Sequence, residues 1–215
     1  MPLGVITGMR SEAKLLDGLG VQVASGGGRE EQTRAKIESL IAAGANRLLS
    51  FGIAGALDQA FRPGDILLAT SVSFAGQRLY DVDADWLRKL TAALPEVKRC
   101  RLLGISRIVA GRAEKAQFFK AQAGCAVDME SHIAAAMAFE RGLPFMAIRA
   151  IADTAADELP PAVRHGLDEN GKATIGPVIR SLLSNPAQLP ALIRVARQTK
   201  RALDALFRCR AALTL

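Results

Sequence analysis

Residues 126–155 read AVDMESHIAAAMAFERGLPFMAIRAIADTA, a small and apolar run with Asp128 and Glu130 at its front and Asp153 at its back. Carboxylates set against apolar neighbours lose hydration, which raises their pKa and suits them to acid chemistry near neutral pH. Glycine-rich stretches lie upstream: Gly8 in GVITGMRSE, Gly28 in SGGGRE, and Gly52 and Gly55 in FGIAGAL. Bare amides at such places attract anions and admit a ligand close to the backbone. SGGGRE is not GxGxxG, and GIAGAL lacks the lysine of a P-loop, so each alone reads first as a tight turn. Asp128 has an ordinary use as a cap for the helix that follows it.

The elements that must position these residues follow from periodicity and punctuation. LGVITG (3–8) is a buried strand, SEAKLLDGL a short helix and VQVAS (21–25) a second strand broken by glycines. REEQTRAKIESLIAAGA is an amphipathic helix stopped by Gly44. NRLLSFG is a third strand, expected to end in a GIAGAL turn, and RPGD (62–65) launches the strand ILLATSV. A helix at 83–94, a strand region at 100–110, a helix at 113–122, the short strand CAV, a helix over MESHIAAAMAFER and the strand FMAIRAIAD follow. Helices at about 172–184 and 187–208 finish the chain. Strands alternating with helices, several apolar throughout, predict a three-layer α/β/α sandwich with a largely parallel, mixed central sheet. Ligands of such sheets bind at the carboxyl ends of strands. Gly8–Glu12, Ser25–Arg29, Gly52–Gly55, Asp128–Glu130 and Asp153 all follow strands in this reading.

The 215 residues fit a single domain over 1–215, half of them hydrophobic. Cys100, Cys125 and Cys209 show no CxxC spacing, which argues against a disulfide framework or a zinc site and for a reducing compartment. No signal peptide or membrane span is read, so a cytoplasmic location is expected. The formal charge of +7 fits an anionic partner or a solvated basic surface. Without a nucleic-acid-binding motif, no nucleic acid is expected.

GVITGMRSE, SGGG, FGIAGAL, PGDILLA, VDMES and IRAIADTA occur in the order and approximate spacing of the nucleoside phosphorylase family, which the chain resembles over about residues 3–155. It looks closest to the nucleosidase branch, which cleaves methylthioadenosine and S-adenosylhomocysteine. VDMESH, GGG and a basic C-terminal extension are most similar to the hopanoid-associated phosphorylases, thought to remove adenine from adenosylhopane. The resemblance implies cleavage of a ribose–purine bond through a cationic, oxocarbenium-like sugar, in parallel with glycoside hydrolysis. It implies that Asp153 is the acid toward N7 of the purine and that Glu130 accepts hydrogen bonds from the two ribose hydroxyls. Met129 would pack on the sugar, and Glu12 matches a glutamate that activates water. Arg149 is left with an ion-pair or a phosphate role.

Departures from the family pattern bear on the substrate. Ser50 and Ile53 stand where phosphorylases place phosphate-holding residues, and Ile53 replaces a nucleosidase serine. ISRIVAGR lacks the usual aromatic against the purine, so no base-stacking residue is named. Arg10, Arg29 and Ser25 are kept as an alternative anion site, with Gly8, Gly28 and Gly52 shaping the site, and Ile53 fits a bulkier substrate. No metal or organic cofactor is expected; phosphate stays open as a co-substrate. In QLPALIRVARQTKRALDALFRCR one side is apolar and the rest carries Arg194, Arg197, Lys200, Arg201, Arg208 and Arg210. Such a helix suits an anionic membrane, at the inner face in this case, or docking on the sheet or a second subunit. The expected protein is a homo-oligomeric enzyme that splits a 5′-substituted adenine nucleoside, by phosphorolysis or hydrolysis. A methylthioadenosine-type nucleosidase and a non-catalytic nucleoside binder are the alternatives.

Overall fold

The computed structural model describes residues 2–74, 78–165 and 175–214. The apolar run Leu3–Thr7 forms β1, wholly buried, and Gln22–Ser25 forms β2 parallel to it. Between them lies the short helix α1 (Arg10–Lys14), and after them α2 (Glu30–Ala42). β3 (Arg47–Ala56), β4 (Ile66–Phe74) and β5 (Arg78–Asp81) come next, then α3 (Ala84–Ala93), begun by the Asp83 side chain accepting from the Trp86 amide. β6 (Lys98–Gly104), α4 (Arg112–Gln122), β7 (Ala126–Asp128), α5 (Ser131–Arg141) and β8 (Phe145–Asp153) complete the central part. α6 (Ile175–Ser184) and α7 (Leu189–Cys209) close it.

The sheet runs β2-β1-β3-β7-β6-β4-β5. β8 pairs with β3 in parallel and with β4 antiparallel, so β3, β8, β4, β6 and β7 close into a ring. α5 packs against β3, β4, β6 and β8, while α7 packs against β3, β4 and β8. The layered, mixed α/β arrangement agrees with the expected one. All nine residues of β8 are buried, as expected of a central strand.

Three local expectations need correction. GIAGAL is no turn: β3 runs through it to Ala56, with a bulge between Ala54 and Gly55 where it meets β8. The glycines there make room for carboxylates rather than reverse the chain. The strand expected at 100–110 stops at Gly104, and the hairpin partner β5 is additional. A disulfide joins Cys100 and Cys125, with Cα atoms 6.1 Å apart, although their spacing argued against one. They lie 25 residues apart in sequence, but parallel pairing of β6 with β7 brings Cys125 beside Arg101. Cys209 is buried and free.

The C-terminal helix divides. Its second half docks through Ala202, Ala205, Leu206 and Cys209, whereas Leu189, Ile193 and Phe207 are exposed. Among the described residues, no helix is long and apolar enough to cross a membrane.

Candidate active site

The site is built around backbone that lacks side chains. β1 ends at Thr7, and the chain turns through Gly8 and Met9 into α1. There Glu12 folds back so that its Oε2 accepts from the Gly8 and Met9 amides (2.9 and 2.7 Å). Its Oε1 accepts from the Ile53 amide on β3 at 2.8 Å. The Gly8 and Met9 amides lie in the segment that begins α1, where N–H groups have no partner within the helix. A methyl group on Gly52 would lie 2.6 Å from Glu12 Oε1, so that glycine is what lets the carboxylate reach β3. Burial raises the Glu12 pKa, and the three amides with the Arg149 charge oppose the rise.

Glu130 stands at the start of α5, on the other side of Gly8. A methyl group on Gly8 would sit 2.7 Å from Glu130 Oε1, and one on Gly28 would sit 2.9 Å from Met129 Cε. The SGGG loop thus covers Met129 and Glu130, and Gly8 separates two buried carboxylates. Burial, and then the Asp128 charge, push the Glu130 pKa up to about 8, with Arg149 opposing. Glu130 therefore holds its proton to higher pH than an ordinary carboxyl does.

That shift has a thermodynamic consequence. A carboxyl whose folded pKa exceeds its unfolded value stabilises the fold fully below the unfolded value, and the contribution is lost as pH rises through the folded one. For Glu130 the window runs from about 4.5 to about 8. Glu130→Gln should flatten part of the fall in thermal midpoint across this window and raise the midpoint at its alkaline end. Melting curves at several pH values check this.

Asp128 and Arg149 form the ion pair beneath. Asp128 Oδ2 accepts from Arg149 Nη2 at 2.5 Å and Nε at 3.0 Å, and from the Ser131 amide at 2.9 Å. Asp128 is therefore both the expected cap of α5 and a counter-ion. Arg149 Nη2 also donates to Ser50 and Ser131 Oγ (2.6 and 2.9 Å), and Nη1 donates to the Ile148 carbonyl. Of the two roles left to Arg149, this is the ion pair. The guanidinium, fully buried at the middle of β8, is engaged by protein groups.

Asp153 closes β8, opposite Gly55 in the β3 register. A methyl group on Gly55 would lie 3.2 Å from both Asp153 oxygens. Burial raises the Asp153 pKa and Lys115 opposes it. The far half of β3 therefore links the parts: Gly52 and Ile53 abut Glu12, and Gly55 abuts Asp153, roughly 10 Å further along an extended strand. Glu130, Gly8, Glu12, β3 and Asp153 form one continuous arc. Arg10 and Arg29 are exposed at the starts of α1 and α2. A cavity of about 660 Å³ lies beside the arc, lined by Leu57, Arg112, Ala116, Phe119 and Ala155 among others.

Sequence reasoning missed two features. Lys115, in AEKAQFF, passes as an ordinary helix charge, yet it is wholly buried against Asp153. Its only signal is a place one helical turn from Phe118 and Phe119. His132 stacks on Phe74 with ring centroids 4.5 Å apart, and burial lowers its pKa.

Comparison with solved structures bears on the fold. The chain superposes on the 5′-methylthioadenosine/S-adenosylhomocysteine nucleosidase of S. pneumoniae with a TM-score of 0.70, at 17% identity, covering 99% of this chain and 100% of that one. The S-adenosylhomocysteine nucleosidase of Streptococcus pyogenes gives 0.69 at 19% identity, covering 97% and 95%. The futalosine hydrolase of Helicobacter pylori gives 0.68 at 15% identity, covering 98% and 97%. Comparison with curated protein sequences finds no match. The model of the phosphorylase superfamily matches residues 21–183, which hold β3, Asp128–Glu130, Arg149 and Asp153 while Glu12 lies upstream, and the chain belongs to that superfamily.

Proposed function

We propose that the protein hydrolyses the N-glycosidic bond of an adenine nucleoside bearing a 5′ substituent. The observation that carries this reading is the placement of Glu12. Its buried carboxylate is fixed by three backbone amides, across Gly8 from Glu130 and on the strand that leads to Asp153. The superfamily and the nucleosidases among the superposed structures support the reaction class.

Leaving of the purine builds positive charge on the ribose and negative charge on the base. Asp153 gives a proton to the base, and its burial keeps that proton available. Glu130 faces the sugar hydroxyls; it gives its proton to solvent as the nucleoside binds, and the carboxylate so formed accepts from the hydroxyls and stabilises the cation at C1′. Glu12 takes the proton of the attacking water. Met129, held beneath Gly28, packs on the sugar.

Water suits this site better than phosphate. Ser50, at one of the positions where phosphorylases hold phosphate, and Arg149 are spent on Asp128, Ser131 and each other. An arriving phosphate would also meet the carboxylate of Glu12. The half-buried Ile53 replaces a hydroxyl side chain, which favours a bulky 5′ group; adenosylhopane is the finer substrate proposal. A homo-oligomer and contact of the exposed, arginine-rich face of α7 with an anionic membrane belong to the same reading.

Incubation with 5′-methylthioadenosine and with bulkier 5′-alkyl adenosines, with and without phosphate, tests it. Free adenine and free sugar in phosphate-free buffer are expected. Sugar 1-phosphate, formed only when phosphate is present, would overturn hydrolysis, and absence of base release would overturn the reaction.

A further inference from the structure

We propose that Lys115 is a positioning residue for Asp153: it confines the acid's proton to Oδ1 and stabilises the carboxylate left once that proton has passed to the base. The proposal deepens the function just given and rests on it.

Lys115 lies in the second turn of α4, and its side chain is 0% exposed. A buried ammonium is costly unless every hydrogen finds an acceptor. Here three do. Nζ donates to Asp153 Oδ2 at 2.5 Å, to the Thr154 carbonyl at 2.8 Å and to the Asp157 carbonyl at 3.0 Å. The last two belong to the turn that follows the acid. That turn is itself pinned, because Asp157 Oδ2 accepts from the Thr154 amide and hydroxyl (2.8 and 2.7 Å) and from Gln198 of α7 at 3.0 Å. Arg194 of α7 pairs with Asp157 at 3.3 Å. Among the described residues, the charged groups facing Asp153 are Lys115 from α4 and Asp157 from the turn, with Arg194 from α7 behind Asp157.

The chemistry follows from which oxygen is taken. Oδ2 receives a hydrogen bond from a cation, so a proton on the acid resides on Oδ1. When the C1′–N9 bond breaks, its electron pair stays with the purine, and the Oδ1 proton moves to N7. The carboxylate so formed is buried, and Lys115 is the counter-charge already in place. After base release Oδ1 regains a proton from water. Lys115 keeps all three of its hydrogens throughout and does not touch the substrate.

Two variants separate this from a structural brace. Lys115→Gln removes the charge but keeps an N–H₂ group for the carbonyls, and Lys115→Arg keeps the charge. The readouts are the pH profile of kcat/KM on 5′-methylthioadenosine, and the rate on a 4-nitrophenyl riboside, whose leaving group needs no proton. The proposal expects Lys115→Gln to move the alkaline limb to higher pH and lower kcat on the nucleoside by about 10²-fold, with the nitrophenyl riboside changed less than about 3-fold. Lys115→Arg should leave the alkaline limb in place. An unchanged profile and kcat in the Gln variant, or equal losses on both substrates in a variant whose melting curve matches the wild type, would overturn it. If Lys115→Gln fails to fold, an alkaline limb moved upward in Lys115→Arg overturns it instead. A wild-type protein that splits the nitrophenyl riboside but no purine nucleoside would instead sink the preceding reading.

Discussion

Glu12→Gln should lower kcat on the nucleoside by about 10²–10⁴-fold, the range a positioned general base contributes. The substitution is nearly isosteric, but the amide matches the site poorly. Both carboxylate oxygens accept from backbone N–H groups: Oε2 from Gly8 and Met9, Oε1 from Ile53. A glutamine has one accepting oxygen. If that oxygen serves Gly8 and Met9, its N–H₂ points at the Ile53 N–H, donor against donor. The variant therefore loses the base and also loosens the join between α1 and β3. Loss of turnover should exceed loss of binding, so KM for the nucleoside should change far less than kcat. Comparable steady-state constants for variant and wild type would show that water is activated elsewhere.

Arg149→Met should produce the largest loss of stability. Removing one member of a buried ion pair leaves the other charge stranded, at a cost of about 3–5 kcal/mol. Asp128 would keep the Ser131 amide but lose the guanidinium, and Ser50 and Ser131 would lose a shared donor. In a chain of this size, that corresponds to a fall in Tm of about 6–20 °C. Arg149 also holds down the pKa values of Glu130 and Glu12. The surviving folded protein should therefore hold those protons to still higher pH, and the pH optimum of turnover should move upward. A differential melting measurement and a pH–rate profile on the same preparation check both halves.

Much of this site could be read from residue types. Asp128, Glu130 and Asp153 stand out because carboxylates in apolar surroundings need a reason, and the alternation of strands and helices places them at strand ends. The fold class follows from the same alternation. Other features depend on contacts that no local pattern encodes. The glycines of GIAGAL look like a turn, because a glycine needed to let a carboxylate approach and one needed for a reversal are the same letter. In the structure they face Glu12 and Asp153 from within a continuous strand. The role of Arg149 was open because its partners Ser50, Asp128 and Ser131 come from two other strands and a helix. Lys115 was invisible for a similar reason: a lysine on a helix is ordinary until α4 is laid against the end of β8. Cys100 and Cys125 pair through strand register rather than motif spacing. β5 was missed because its four residues carry little periodicity, and none of them is fully buried.

The central claim is that one bound nucleoside spans the arc, sugar at Glu130 and Glu12, base at Asp153. The most direct test is a crystal structure with a cationic ribose mimic that carries adenine and a 5′-alkyl group. The account predicts the two sugar hydroxyls on the Glu130 carboxylate, Glu12 facing the position of the attacking water, and N7 within hydrogen-bonding distance of Asp153 Oδ1. A mimic bound with its base at Glu130, or seated in the neighbouring cavity without touching Asp153, would contradict it.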